Sequence, residues 1–99
     1  RDARDLAGAV TGSAVTVAKA IRAEILRQTE ARGAAKSICP SEVARALDPD
    51  EAGWRSLMGP VRAQAIRLAR EGRVEVLRKG KPVDPEAEIR GVIRLRVRA

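Results

Sequence analysis

The chain of 99 residues has no histidine, no phenylalanine and no tyrosine, with a single cysteine and a single tryptophan. The missing histidine removes the commonest general base and metal ligand, and it leaves Cys39 without the imidazole that a Cys–His pair needs. No glycine-rich phosphate loop and no metal-ligand spacing appears. The carboxylates fall at helix starts or at charge-pair spacing. The sequence therefore predicts a non-enzymatic protein with no cofactor, no metal and no small-molecule substrate. One cysteine excludes an internal disulfide, which suits a reducing cytoplasm. No apolar run is long enough to cross a membrane, and no signal-peptide pattern is seen. Leu6–Val17 is interrupted by Gly8, Thr11, Gly12 and Ser13. The chain begins without Met, as a processed or excerpted chain does. With so few aromatics the core must be aliphatic, and Trp54 is expected to be its largest single contributor.

What is present is aliphatic and cationic. A hydrophobic share of 44% excludes a disordered chain, and the length suits one domain with a single core. The net charge of +7 is unevenly placed. Residues 1–50 carry eight basic and seven acidic side chains, whereas residues 51–99 carry twelve and six. The second half thus supplies nearly all of the positive field, and such a half attracts phosphate-rich or acidic partners. The alternative is an Arg-rich surface that serves only solubility.

Residues 1–12 have weak periodicity and read as an N-terminal arm or an extra short helix, with the domain proper at 13–99. From Ser13, a plausible cap, Ala14, Ala18, Ile21 and Ile25 form one stripe that ends at Gly33. Lys36–Cys39 can be extended. Pro40-Ser41-Glu42 starts a short second helix with Val43, Ala44 and Leu47 on its apolar side. Asp48 is expected to cap the third helix, with Pro49 at its first position and Glu51 reaching back. Trp54, Leu57, Met58, Val61, Ala65 and Leu68 share one face of that helix. Pro60 is expected to kink it, yet the stripe keeps phase, so one bent helix is predicted, ending at Gly72. The period then changes to two. Val74 and Val76 share one face of a strand; Ile93, Leu95 and Val97 lie opposite Arg94 and Arg96 on another. The segment between, Lys79–Gly91, reads as the long charged loop of an antiparallel hairpin.

Three helices followed by a hairpin is the order of the winged helix-turn-helix. Ile38-Cys39-Pro40-Ser41-Glu42-Val43-Ala44, Trp54-Arg55, Val61-Arg62, Lys79-Gly80-Lys81-Pro82-Val83-Asp84-Pro85 and Gly91-Val92-Ile93-Arg94-Leu95 together resemble a small bacterial family catalogued as a domain of unknown function (number 3253). The resemblance spans roughly Val15 to Arg96. It implies an α+β winged helix-turn-helix with a three-helix core and a C-terminal antiparallel β-hairpin as the wing, and it carries no activity.

In a helix-turn-helix the last helix enters the major groove while flanking groups hold phosphates. Transferred here, Arg55, Ser56, Arg62 and Arg67 face duplex DNA, and Lys79, Lys81 and Arg90 on the hairpin loop touch its backbone or minor groove. The competing reading lays the stems of Arg55 and Arg62 over the core and pairs them with carboxylates. Trp54 is read as core in preference to a base-stacking platform, Cys39 as a small half-buried residue in preference to a redox sensor. Arg94, Arg96 and Arg98 are read as a solvated strand face. The rival function is a protein-interaction or dimerisation module, with Leu6–Val15 available for pairing to a second copy.

Overall fold

The structure, a computed structural model, describes residues 13–98. The N-terminal arm or short helix expected over 1–12, and most of the Leu6–Val15 segment considered for pairing, lie outside the described residues.

Helix α1 spans Ser13–Arg32 and buries Ile21, Ile25 and Thr29, which fall four residues apart on one face. The Thr29 hydroxyl is satisfied inside the core because it donates to the carbonyl of Ile25 at 2.8 Å. Gly33, at φ 81°, ends the helix as expected and donates to the Thr29 carbonyl. The connector is extended at Ile38, whose N–H and C=O exchange bonds of 2.7 and 2.8 Å with Leu95. That bridge joins the connector to the sheet, beside the packing of α1 and α3 against it.

Helix α2 spans Pro40–Leu47, with proline at the position where its missing N–H costs nothing. Glu42 joins three parts of the chain. Its Oε2 accepts from the Cys39 amide at 2.9 Å, its Oε1 meets Arg32 of α1 at 2.9 Å, and its carbonyl accepts from Gln28. Helix α3 spans Glu51–Arg70. Its cap is Asp50, which accepts from the Gly53 amide, and not Asp48 as the sequence suggested. The reason is that Asp48 still belongs to the end of α2: its N–H donates to Ala44, and its carboxylate takes the amide of Asp50.

Helix α3 runs unbroken past an exposed Pro60, and Val61, Ala65 and Leu68 of the predicted stripe are buried, joined by Ala69. Trp54 is less central than expected. It is half-buried and packs against the edge of a core whose fully enclosed members include Ile21, Ile25, Ile38, Leu68 and Leu95. Each such aliphatic side chain contributes about 1.5–3 kcal/mol when fully enclosed.

The sheet departs from a simple hairpin. Strand β1, Val74–Arg78, pairs first with β2, Lys81–Pro82, across a two-residue turn at Lys79-Gly80. Both turn residues have positive φ, 52° and 81°, which matches the right-handed twist of the flanking strands. The chain then travels through residues 83–93 before β3, Arg94–Val97, pairs antiparallel with the other edge of β1. The order is β2-β1-β3. Val74 faces Val97 and Val76 faces Leu95 toward the helices, while Glu75 and Arg96 form an ion pair of 2.6 Å on the outer face. Three helices and a three-stranded antiparallel sheet make the fold α+β.

Two outcomes follow. Replacing Glu42→Ala frees the Cys39 amide and the Arg32 guanidinium together and is expected to lower stability by about 1–2 kcal/mol in urea denaturation. The second concerns acid. A hydrogen bond from Arg27 holds the Glu24 carboxyl below the ordinary glutamate range, and one from Arg22 does the same for Glu71. A carboxyl depressed in the folded state stabilises it fully above its unfolded value of about 4.3, and that contribution is lost as pH falls through the lower folded value. Thermal melts should show a nearly constant Tm from about pH 8 to 5 and a decline below about pH 4 that is smaller in Glu24→Gln.

Candidate nucleic-acid interface

Helical spacing turns Ala52, Ser56, Gly59 and Ala63 of α3 outward, and all four are exposed. Small side chains there permit close approach by a partner but offer few donors. Ser56 directs its hydroxyl back to the Ala52 carbonyl at 2.9 Å. Arg55 lies over the Trp54 ring at 4.7 Å from its centroid and pairs with Glu51 at 2.9 Å. Arg45 of α2 lies over the same ring at 4.4 Å. The tryptophan thus acts as a seat for two guanidiniums, each such contact worth about 0.5–1 kcal/mol at an exposed site.

Arg62 does something the sequence did not reveal. Its Nη1 donates to the Gly91 carbonyl at 2.8 Å and its Nη2 to the Ile89 carbonyl at 2.6 Å. Arg78 of β1 donates to the carbonyl between them, that of Arg90. Farther along α3, Arg70 donates to Pro85 at 3.0 Å and stands 3.6 Å from Glu86. The long segment therefore runs alongside α3, held by Arg70 near its start and by Arg62 near its end. Gly91 has φ 81°, and a Cβ there would run into the Arg78 guanidinium. The close grip on this backbone needs glycine.

Two clefts open where this segment enters β3. One, of about 460 Å³, is lined by Ser37, Leu77, Arg78, Lys79, Gly80, Val92 and Arg94. The other, of about 500 Å³, is lined by Cys39, Pro40, Met58, Gly59, Arg62 and Gly91–Ile93. Val92 belongs to both, and among the described residues no carboxylate lines either. The middle of α3 and the Lys79-Gly80 turn consequently border one continuous surface.

Of the residues expected to meet DNA, Arg62 and Lys79 are brought to that surface. Arg55 lies about two helical turns before Arg62 on α3, and Lys81 faces Arg78 across the β1–β2 pair. Lys79 and Lys81 are exposed, with no carboxylate partner among the described residues. Arg67 is placed elsewhere, close enough to Glu71 for its charge to lower that carboxyl. Arg90 is exposed and paired with Glu88 at 2.9 Å. The sequence reading overlooked Arg78, whose strand-end position gave no hint of its role. It read Arg94 as merely solvated. Arg94 in fact donates to the Ser37 hydroxyl at 2.7 Å and carbonyl at 3.0 Å, which fixes it at the mouth of the first cleft.

Residues 18–98 match the family described as protein of unknown function (DUF3253), and the chain belongs to that family. Comparison with curated proteins finds no match. Among the described residues, no helix is long and apolar enough to cross a membrane.

The geometry separates the two helix arginines. Arg62→Ala removes two charge-assisted bonds to backbone carbonyls and is expected to cost about 1–2 kcal/mol, a drop in Tm of several degrees. Arg62→Lys should not restore it, because one ammonium lacks the fork that reaches both oxygens. Arg55→Ala should cost less than about 1 kcal/mol, as an exposed pair does.

Proposed function

We propose that this member of the DUF3253 family is a winged helix-turn-helix domain that binds duplex DNA in a bacterial cytoplasm and catalyses no reaction. The element order supports the reading: α2 and α3 are joined by only three residues, and β1, β2 and β3 follow as the wing. The observation that carries it is the pair of clefts, lined by no carboxylate among the described residues, that run from the middle of α3 past Val92 to the Lys79-Gly80 turn. On this reading the small outward residues of α3 let the helix approach the groove, and Arg55 uses the N–H groups not given to Glu51. Lys79, Lys81 and Arg94 hold phosphates on the wing side. Arg62 is a positioning residue that sets the wing segment against the helix.

So few donors point outward from α3 that backbone contacts dominate over base readout. Binding should therefore depend steeply on salt and weakly on sequence. Fluorescence anisotropy with random duplex DNA, titrated from about 50 to 200 mM salt, tests this. Each lysine replaced in Lys79→Ala and Lys81→Ala is expected to lower the salt slope by about 1 and to weaken all duplexes alike. Affinity that ignores both salt and the two lysines would refute the reading.

A further inference from the structure

Val92 is 83% exposed. A lone bare valine on a surface means little. This one differs because an apolar cleft lies on each side of it. On one side the floor is Leu77, only 5% exposed; on the other it is Met58 and Pro40. Each cleft falls in the range of about 300–1,000 Å³ that accepts a ligand or a few side chains. The charge stands at the edges: Lys79 and Arg94 border the first cleft, Arg62 the second. Arg62, Arg78 and Arg94 are already fixed by carbonyl bonds, so the walls are ordered before anything binds.

We infer that the paired clefts astride Val92 dock an acidic segment of a partner protein, with aliphatic side chains entering both clefts and carboxylates meeting Lys79 and Arg94. The inference goes beyond the DNA reading. A phosphate backbone would satisfy the cations and leave Leu77, Met58 and Val92 uncovered, whereas leucine or isoleucine side chains would remove them from water. Among the described residues no carboxylate lines either cleft, and this gives the charge complementarity that favours an acidic partner over a neutral one.

The test uses a fluorescein-labelled peptide of leucines at i, i+4 spacing among glutamates, and a counterpart of equal charge with every leucine replaced by serine. Anisotropy gives affinity. The rate of maleimide alkylation of Cys39, the only thiol and a lining residue of the second cleft, reports occupancy. The leucine peptide is expected to bind at least about tenfold more tightly than the serine peptide and to slow alkylation. Val92→Ser, which alters no buried position, should remove that advantage. Equal binding by the two peptides, or indifference to Val92→Ser, would reduce the effect to bulk charge and overturn the inference. Failure of the duplex to bind at all, with the leucine preference intact, would sink the DNA reading alone.

Discussion

The Arg62 guanidinium commits two of its N–H groups to the carbonyls of Ile89 and Gly91, and Arg78 takes the carbonyl of Arg90 between them. Three successive peptide oxygens are thereby gripped from both sides by groups that are always charged. Backbone carbonyls outside regular structure need a donor, and here the donors come from α3 and β1 rather than from a neighbouring strand. The consequence is geometric. Segment 83–93 cannot swing into solvent; it lies along α3, delivers Ile93 and Leu95 to the core, and sets Val92 outward between two clefts. Leu95 then meets Ile38, which closes the sheet onto the helices.

The charge pattern becomes intelligible in the same frame. Glu71, Glu24, Glu42 and Glu51 draw Arg22, Arg27, Arg32 and Arg55 into pairs, while Glu86 and Glu88 stand beside Arg70 and Arg90 on the long segment. Exposed pairs of this sort stabilise little. Their larger effect is to leave the excess positive charge where no carboxylate among the described residues pairs with it, chiefly at the Lys79-Gly80 turn and at Arg94 beside the cleft. A net charge of +7 therefore produces a localised field and not a uniform one.

The helices were legible because Ile21 and Ile25, and Val61, Ala65 and Leu68, recur at the helical period on faces that end up fully enclosed. Strands β1 and β3 were legible from the alternation of Val74 and Val76 and of Ile93, Leu95 and Val97. The tight turn was missed because Lys-Gly lacks the strong signal of Asn-Gly, and one positive φ falls on a lysine. Asp48 and Asp50 are equivalent as capping residues in a string, and only the end of α2 decides between them. Trp54 fits the apolar stripe by spacing, but two arginines from different helices reach its ring and keep it at the edge. The Arg62 partners were beyond reach for a different reason. They are backbone atoms some thirty residues away, and no side-chain pattern encodes them.

Relaxation of backbone ¹⁵N nuclei across Asp84–Ile93 tests the grip on this segment most directly, since a free loop and a pinned one differ on the ps–ns timescale. The account predicts order parameters near about 0.85, as in the rigid helices. Values below about 0.6 through Ile89–Gly91 would contradict it, because those carbonyls would then not be held by Arg62 and Arg78.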